Sequence, residues 1–131
     1  MVINKMHTSY FAKTKLLLDN GYNNLIAISG YIPDFYKKQM EYDYRLSRCI
    51  ELAPKKDWFF RWKNGELNND DYIKLYYETV LNKINLQELY NKLGDDAVLL
   101  CYEKPGVFCH RHLVADYFNK NLNLDIKEIK I

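Results

Sequence analysis

Two short apolar runs constrain the fold of this chain most strongly. They are LIAISG at residues 25–30 and AVLLCYE at residues 97–103. Each is about as long as a strand, and Asn, Asp or Gly residues stand beside it. A continuous apolar run of this length is typical of a strand buried on both faces, as in a parallel sheet. Parallel strands are joined by long crossovers, so the segments between them are expected to contain helices.

Helical patterns occupy much of the remaining chain. The clearest one is at residues 69–84, where Asn69 or Asp70 is expected to cap the helix. Its apolar residues recur at spacings of three and four and form one stripe: Ile73, Tyr76, Tyr77, Val80 and Ile84. Asn85 can cap another helix that Gly94 ends. The predicted helices cover residues 13–20, 69–84, 86–93 and about 109–121.

Strands are also expected at residues 2–11 and in the alternating tail at 125–131. The middle, residues 34–68, contains both tryptophans among basic residues and is interpreted as irregular, aromatic-rich structure with a short helix or two. The 131 residues are enough for one domain. The predicted fold is therefore a single α/β domain over residues 1–131, with a mostly parallel sheet and helices on both faces, a Rossmann-like three-layer arrangement.

Composition limits the function classes. The net charge of +2 is small, and acidic residues are mixed with the basic ones, so nucleic-acid binding is not favoured. The sequence has neither a run of 18 apolar residues nor an apolar signal block at its start, which predicts no membrane partner and a cytoplasmic protein. Three cysteines without a framework spacing indicate reduced thiols.

Residues 98–118 carry the chemistry that stands out. A buried strand leads through a loop to a helix whose start holds Cys109, His110 and Arg111. Such a start offers free N–H groups and a partial positive charge, and an arginine adds a fork that suits phosphate or carboxylate. Ligands bind at the carboxyl ends of parallel strands. The expected ligand-binding residues are therefore Arg111, Cys101, Ser29, Gly30, Tyr31, Thr8, Ser9 and Tyr10.

Several interpretations of this cluster remain open. Cys109 beside His110 is a candidate nucleophile, because a helix start and neighbouring cations favour the thiolate, and Glu103 is a candidate general base. Alternatively, Cys109 only packs under the helix, and Arg111 only pairs with Glu103 or Asp116. The Cys and His spacing fits no standard zinc pattern, so no metal and no cofactor are expected.

The same segment resembles the domain of unknown function 488 family. Its signature, a strand ending Leu-Cys-x-Glu and a helix opening Cys-His-Arg, is matched at Leu100, Cys101, Glu103, Cys109, His110, Arg111 and Ala115. IAISGYIPDF and ELAPKKDWF match the family more weakly, and MHTSYF takes the place of its opening strand. An Asp-x-Arg that many members carry after the second strand is replaced by Ser29-Gly30-Tyr31. The resemblance implies an α/β fold and a shared pocket.

The predicted function follows from this site. The protein is expected to bind an anionic small molecule, nucleotide-like or phosphorylated, at the helix start with Cys109, His110 and Arg111. Hydrolase or transferase activity through Cys109, Glu103 and His110 is compatible with it, but whether the protein is an enzyme stays open. The alternative is a non-catalytic module that sequesters a nucleotide signal or contacts nucleic acid through Trp58 to Lys63. The oligomeric state is not predicted.

Overall fold

The computed structural model describes residues 6–40 and 48–131. The described part contains four strands: β1 (His7–Tyr10), β2 (Leu25–Ala27), β3 (Val98–Cys101) and β4 (Lys127–Glu128). They form one sheet in the order β2-β3-β1-β4, and every pair of neighbours is parallel. The predicted opening strand at residues 2–11 is confirmed for His7–Tyr10, and its first residues lie outside the described part. The parallel α/β fold expected from the apolar runs is thus observed.

Helices cover both faces of this sheet. Their bounds are as follows: α1 (Thr14–Asp19), α2 (Asp34–Gln39), α3 (Lys56–Lys63), α4 (Asn69–Thr79), α5 (Leu86–Leu93) and α6 (His110–Leu122). Alternate strand residues serve opposite faces, since Val98 and Leu100 pack in the cluster with residues of α1 and α2. Leu99 and Cys101 pack in the larger cluster with residues of α3 to α6. A strand apolar on both sides is what a sheet covered on both faces requires.

The described part of the middle segment contains the short helices α2 and α3, as predicted. Residues 48–68 contain a short 3₁₀ turn at Ile50–Leu52 and the two-turn helix α3. Trp58 is buried and its Nε1 donates to Oγ1 of Thr79, 3.0 Å away. The rings of this segment therefore finish the core, and some of them also line a cavity. Residues 41–47 of the predicted irregular segment lie outside the described part.

The ends of α4 also differ from the prediction. Asn68, not Asn69 or Asp70, caps the helix, because its side chain accepts from the N–H of Asp71 and the Asp71 carboxylate accepts from the N–H of Asn68. The helix stops at Thr79, and a separate 3₁₀ turn follows at Leu81–Lys83. The buried stripe runs through Tyr72, Tyr76 and Val80. The cap at Asn85 and the end of α5 at Gly94 are confirmed.

The topology brings the functional segments to one edge of the sheet. The chain leaves β1 through α1 toward β2 on one side, and leaves β3 through α6 toward β4 on the other. The helix after β1 packs on one face of the sheet and the helix after β3 packs on the other, and loops that leave neighbouring strands toward opposite faces open a crevice at the carboxyl ends of the strands. The loops after β2 and β3 and the start of α6 all meet at that edge.

Candidate functional site

A cavity of about 320 Å³ opens at this edge of the sheet. Its size is at the small end of the range for small-molecule sites, about 300–1,000 Å³. The loops after β2 and β3, the start of α6, and helices α3 and α4 line it. Its lining includes three groups of residues: a floor of Cys101, Cys109 and His110, an aromatic wall of Phe59, Trp62, Tyr72 and Phe108, and a charged rim of Lys56, Lys63 and Glu103.

The floor joins the end of β3 to the start of α6. Cys101 is the last residue of β3, and Cys109 is the N-cap of α6 in extended conformation. Their sulfurs are bonded as a disulfide, and their Cα atoms are 7.1 Å apart. The prediction of reduced thiols is therefore wrong for this pair, because the fold returns the helix start to the strand end. The separation is just above the usual span of a disulfide, about 4.4–6.8 Å, so the same backbone also accommodates two free thiols.

His110 is fixed beside the sulfurs as a neutral imidazole. Its Nε2 lies 2.7 Å from the carbonyl oxygen of Ile28, and since a carbonyl only accepts, Nε2 carries the proton. Burial lowers the pKa of His110 to about 4, and the charge of Arg111 acts in the same direction. The ring packs edge-on against Tyr76. With Nε2 protonated, Nδ1 of the neutral ring is left as the proton acceptor.

The floor also contains soft metal ligands. Cys101, Cys109 and His110 each offer one ligand atom, and these atoms lie within 4.8 Å of one another. Once the disulfide is reduced, two thiolates and one imidazole are donors that zinc accepts. The cysteines are eight positions apart in the sequence, and the return of the helix start to the end of β3 brings them together. The expectation of no metal stays a prediction.

The aromatic wall is held by ring contacts from three segments. Trp62 of α3 lies 4.8 Å from Tyr72 of α4 and 5.7 Å from Phe108, measured between ring centroids. Tyr72 and Phe108 are 4.8 Å apart. Nε1 of Trp62 donates to Oδ1 of Asn69, which fixes the indole ring. Edge-to-face contacts of this kind favour a fixed arrangement of rings, so the wall presents a preformed surface to a planar ligand.

Arg111 lies behind the floor and not in the cavity. It is fully buried, and its Nε and Nη2 donate to the two carboxylate oxygens of Glu128, at 3.0 and 2.9 Å. Nη1 donates to the carbonyl oxygen of Glu103 at 2.6 Å and to Sγ of Cys101 at 3.4 Å. Its partner is thus neither carboxylate that the sequence suggested. The guanidinium is occupied by the protein and is placed to act on Cys101.

Glu128 completes the ion pair from β4. Burial acts to raise the pKa of this carboxyl, but hydrogen bonds from Arg111 and Thr8 hold it below its ordinary value. The Thr8 hydroxyl donates to Oε1 at 2.5 Å, and the ring of Tyr10 lies 5.7 Å from the guanidinium carbon. Two of the residues predicted after the first strand therefore stand on β1 and surround the ion pair.

The predicted site residues fall into two sets. Those that line the cavity are Ser29, Gly30, Tyr31, Cys101, Glu103, Cys109 and His110. Those that do not line it are Arg111, Thr8, Ser9 and Tyr10. Ser9 is buried and pairs in register with Leu100. The side chain of Leu100 packs with residues of α1 and α2, on the face of the sheet away from Cys101. The cavity thus uses the ends of β2 and β3, while β1 supports the buried arginine.

The aromatic wall and the two rim lysines were missed as site residues. For the residues of α3, the sequence feature that could have identified them is their three-residue spacing. Phe59 and Trp62 lie on one face of the helix, and Phe60 and Lys63 lie on the adjacent face. The alternative of nucleic-acid contact used this same segment. In the structure Trp58 is buried and Trp62 half-buried, and both turn toward the core and the cavity.

None of the helices in the described part of the chain has the length and apolar content needed to cross a bilayer. No curated protein and no solved structure matches the chain. A family model does match it over residues 24–122, and that model is described as the active DUF488-N3 subclade, DUF488-N3a. The match covers well over half of the 131 residues and includes all three groups that line the cavity. The chain therefore belongs to the DUF488 family.

Proposed function

We propose that this protein binds a nucleotide-like or phosphorylated small molecule in the cavity and transfers or hydrolyses a group on it through Cys109. The single observation that carries the proposal is a preformed aromatic wall that faces a floor of two cysteines and a neutral histidine. The wall suits a flat ring and the floor suits nucleophilic chemistry. The family description of this subclade as active supports catalysis.

The ring of the ligand has a natural position against Trp62 and Phe108. Stacking on aromatic side chains contributes about 1–3 kcal/mol per base and does not depend on base identity. The apolar wall excludes water on that side, and the polar loop of Ser29, Gly30 and Tyr31 lines another part of the cavity. This combination of apolar walls with few polar groups is typical of small-molecule sites.

The anionic group is assigned to the rim. Arg111, the residue first expected to hold it, is saturated by Glu128 and Glu103. Lys56 and Lys63 line the cavity and are exposed, so their ammonium groups are available to a phosphate. The start of α6 adds its partial positive charge from the floor.

Cys109 is the proposed nucleophile once its sulfur is free. It stands at the start of the 13-residue helix α6, where the helix dipole favours the thiolate. Cys109 is the more exposed residue of the pair, at 8% against 1% for Cys101. His110 beside it stays neutral, because burial lowers its pKa to about 4, and its Nδ1 is the hydrogen-bond acceptor of the ring.

The binding step is tested with adenosine monophosphate and adenosine, read by the fluorescence of Trp62. The monophosphate is expected to bind more tightly than the nucleoside. Lys63→Gln and Lys56→Gln should each weaken the monophosphate about three- to tenfold, because one charge-assisted hydrogen bond is lost, and leave the nucleoside unchanged. Lys74→Gln, an exposed lysine of α4, is the matched control.

The chemical step is tested in reduced protein with Cys109→Ser. Turnover of candidate nucleotides should be lost while their binding is kept. Native mass spectrometry of protein purified from cells supplies the identity of the ligand. The absence of binding by either probe, together with no phosphorylated or ring-bearing molecule in that spectrum, would show the proposed function to be wrong.

A further inference from the structure

The two sulfurs of the floor have unequal surroundings. Arg111 Nη1 contacts Sγ of Cys101 at 3.4 Å, and the guanidinium is held there by both oxygens of Glu128. Both cysteines line the cavity, and Cys109 is the more exposed residue of the two. A fixed cation beside one sulfur of a disulfide makes that sulfur the better leaving thiolate. Cys109, the more exposed residue, is therefore the expected site of attack, and Cys101 is the expected leaving thiolate.

We propose that Cys101 and Cys109 form a redox-active pair that exchanges with a small thiol in the cavity. The ligand's thiolate sulfur bonds to Sγ of Cys109, the Cys101–Cys109 bond breaks, and its electron pair stays on Cys101 beside Arg111. A second ligand thiolate then attacks the ligand sulfur of the mixed disulfide and releases Cys109 as a thiolate. Two ligand thiols are oxidised to one disulfide, and their two protons pass to the cysteines or to water.

The cavity defines the class of thiol. A ring next to the thiol fits against the aromatic wall, and an anionic substituent fits the rim lysines. This activity needs the cavity but not a nucleotide, so it goes beyond the proposed function. The two are also linked, because reduction of the pair frees Cys109 for the nucleophilic role.

The attacked sulfur is identified in single-cysteine variants. Cys101→Ser and Cys109→Ser proteins are treated with the disulfide of 4-mercaptobenzoate and mapped by peptide mass spectrometry. In wild type, 4-mercaptobenzoate itself is the reductant, and the freed thiols are counted by iodoacetamide. We expect a stable mixed disulfide on Cys109 in Cys101→Ser, and slower or no adduct on Cys101 in Cys109→Ser.

The role of Arg111 is tested by the rate of wild-type reduction. Arg111→Met is expected to slow the release of Cys101 about tenfold, because the leaving thiolate loses its cation, and to raise the pH at which Cys101 is alkylated in reduced protein. Should this variant fail to fold, the pH dependence of Cys101 alkylation in reduced wild-type protein is the second measurement, and a midpoint no lower than in the unfolded chain would contradict the role of Arg111. Cys49 is the internal control, since burial raises its pKa to about 11 and it should stay unlabelled in folded protein.

Three results would overturn the proposal. One is a pair that 4-mercaptobenzoate does not reduce in folded protein. Another is preferential adduct formation on Cys101. The third is a reduced protein that retains one zinc ion per chain in native mass spectrometry, because the sulfurs would then serve as metal ligands. Nucleotide binding read by Trp62 is measured separately, so failure of the redox activity and failure of the proposed function are distinguishable.

Discussion

Arg111 shows at the scale of one residue what the fold adds to a motif. The sequence places it beside Cys109 and His110, in a segment where an anion contact is the natural expectation. Its partner Glu128 lies 17 residues further along the chain on a different element, and only the parallel pairing of β4 with β1 brings the carboxylate within reach. Sequence neighbours offered Glu103 and Asp116 instead. The chemistry of the cluster was therefore predictable, but the direction in which the guanidinium points was not.

Glu128→Gln is predicted to destabilise the protein by about 3 kcal/mol. Removing one charge of a buried pair leaves the other without compensation, and such changes cost about 3–5 kcal/mol. Glu128 is not fully buried, with 19% of its side chain exposed, so the lower end applies. Chemical denaturation measures the free energy of unfolding. Glu66→Gln in the exposed pair with Arg61 is the matched control and should change it by less than about 1 kcal/mol; equal losses in both variants would contradict the prediction.

His110 predicts a pH dependence of stability. Its folded pKa of about 4 lies below its ordinary value of 6.5 because burial disfavours the imidazolium. Between these values the unfolded chain binds more protons, so stability is fully present above about pH 6.5 and falls as the pH drops toward 4. The gap corresponds to about 3 kcal/mol.

The free energy of unfolding, measured by chemical denaturation from pH 7.5 down to 4.5, gives this slope. The pKa of Glu128 in the folded protein is held below its ordinary value, so this carboxyl contributes little over most of that range. His110→Gln, which keeps an N–H donor for the Ile28 carbonyl, should remove most of it. Burial also lowers the pKa of the half-exposed His112. His112→Gln therefore serves as the comparison and should remove a smaller part of the pH dependence than His110→Gln does. A slope unchanged in His110→Gln would refute the assignment.

At the scale of elements, both ends of α5 were predictable from the sequence, whereas the cap and the C-terminal end of α4 were not. Asn85 and Gly94 bound α5 as expected because caps act through local hydrogen bonds that the sequence specifies. In the middle of the chain one or two short helices were expected, but their positions could not be predicted. In α3 the rings of Trp58, Phe59 and Trp62 pack against α4, and such tertiary contacts decide whether a short segment becomes helical.

The capping box of α4 gives a prediction at this scale. Asn68→Ala should lower the free energy of unfolding by about 1 kcal/mol, since the N–H of Asp71 loses its side-chain acceptor. The exposed Asn82 supplies the matched control, and Asn82→Ala should have an effect within about 0.5 kcal/mol. Asp70→Ala is a second comparison and should cost less than Asn68→Ala, because Asn68 is the residue that caps the helix. A larger loss in Asp70→Ala would contradict this assignment of the cap.

For the whole molecule, the position of the site was more predictable than its shape. Parallel strands place their carboxyl ends at one edge, so the loop after β2, the end of β3 and the start of α6 were expected to meet, and the structure has them line one cavity. The aromatic wall depends on how α3 and α4 pack over that edge. No local pattern in the sequence encodes that packing, so Phe59, Trp62 and Tyr72 could be recognised as core-forming rings but not as walls of a site.

The cavity gives the last prediction, which separates ligand binding from stability. Gly30 lines the cavity, and a Cβ added there has no atom within 4 Å. Its backbone is outside the left-handed region that favours glycine, so a larger residue is tolerated. Gly30→Leu should lower the affinity for adenosine monophosphate at least about tenfold by filling the site, a loss of about 1.4 kcal/mol. The melting temperature should stay near that of wild type.

Gly30→Ala is the matched control, because one methyl group leaves most of about 320 Å³ free and should alter the affinity by less than about threefold. The pair of variants distinguishes two origins of any binding that is measured. Loss in Gly30→Leu alone assigns the ligand to the cavity between the sheet edge and α3. Equal affinity in both variants places the ligand elsewhere on the molecule. Thiol exchange at Cys101 and Cys109 is then the remaining function proposed for the cavity.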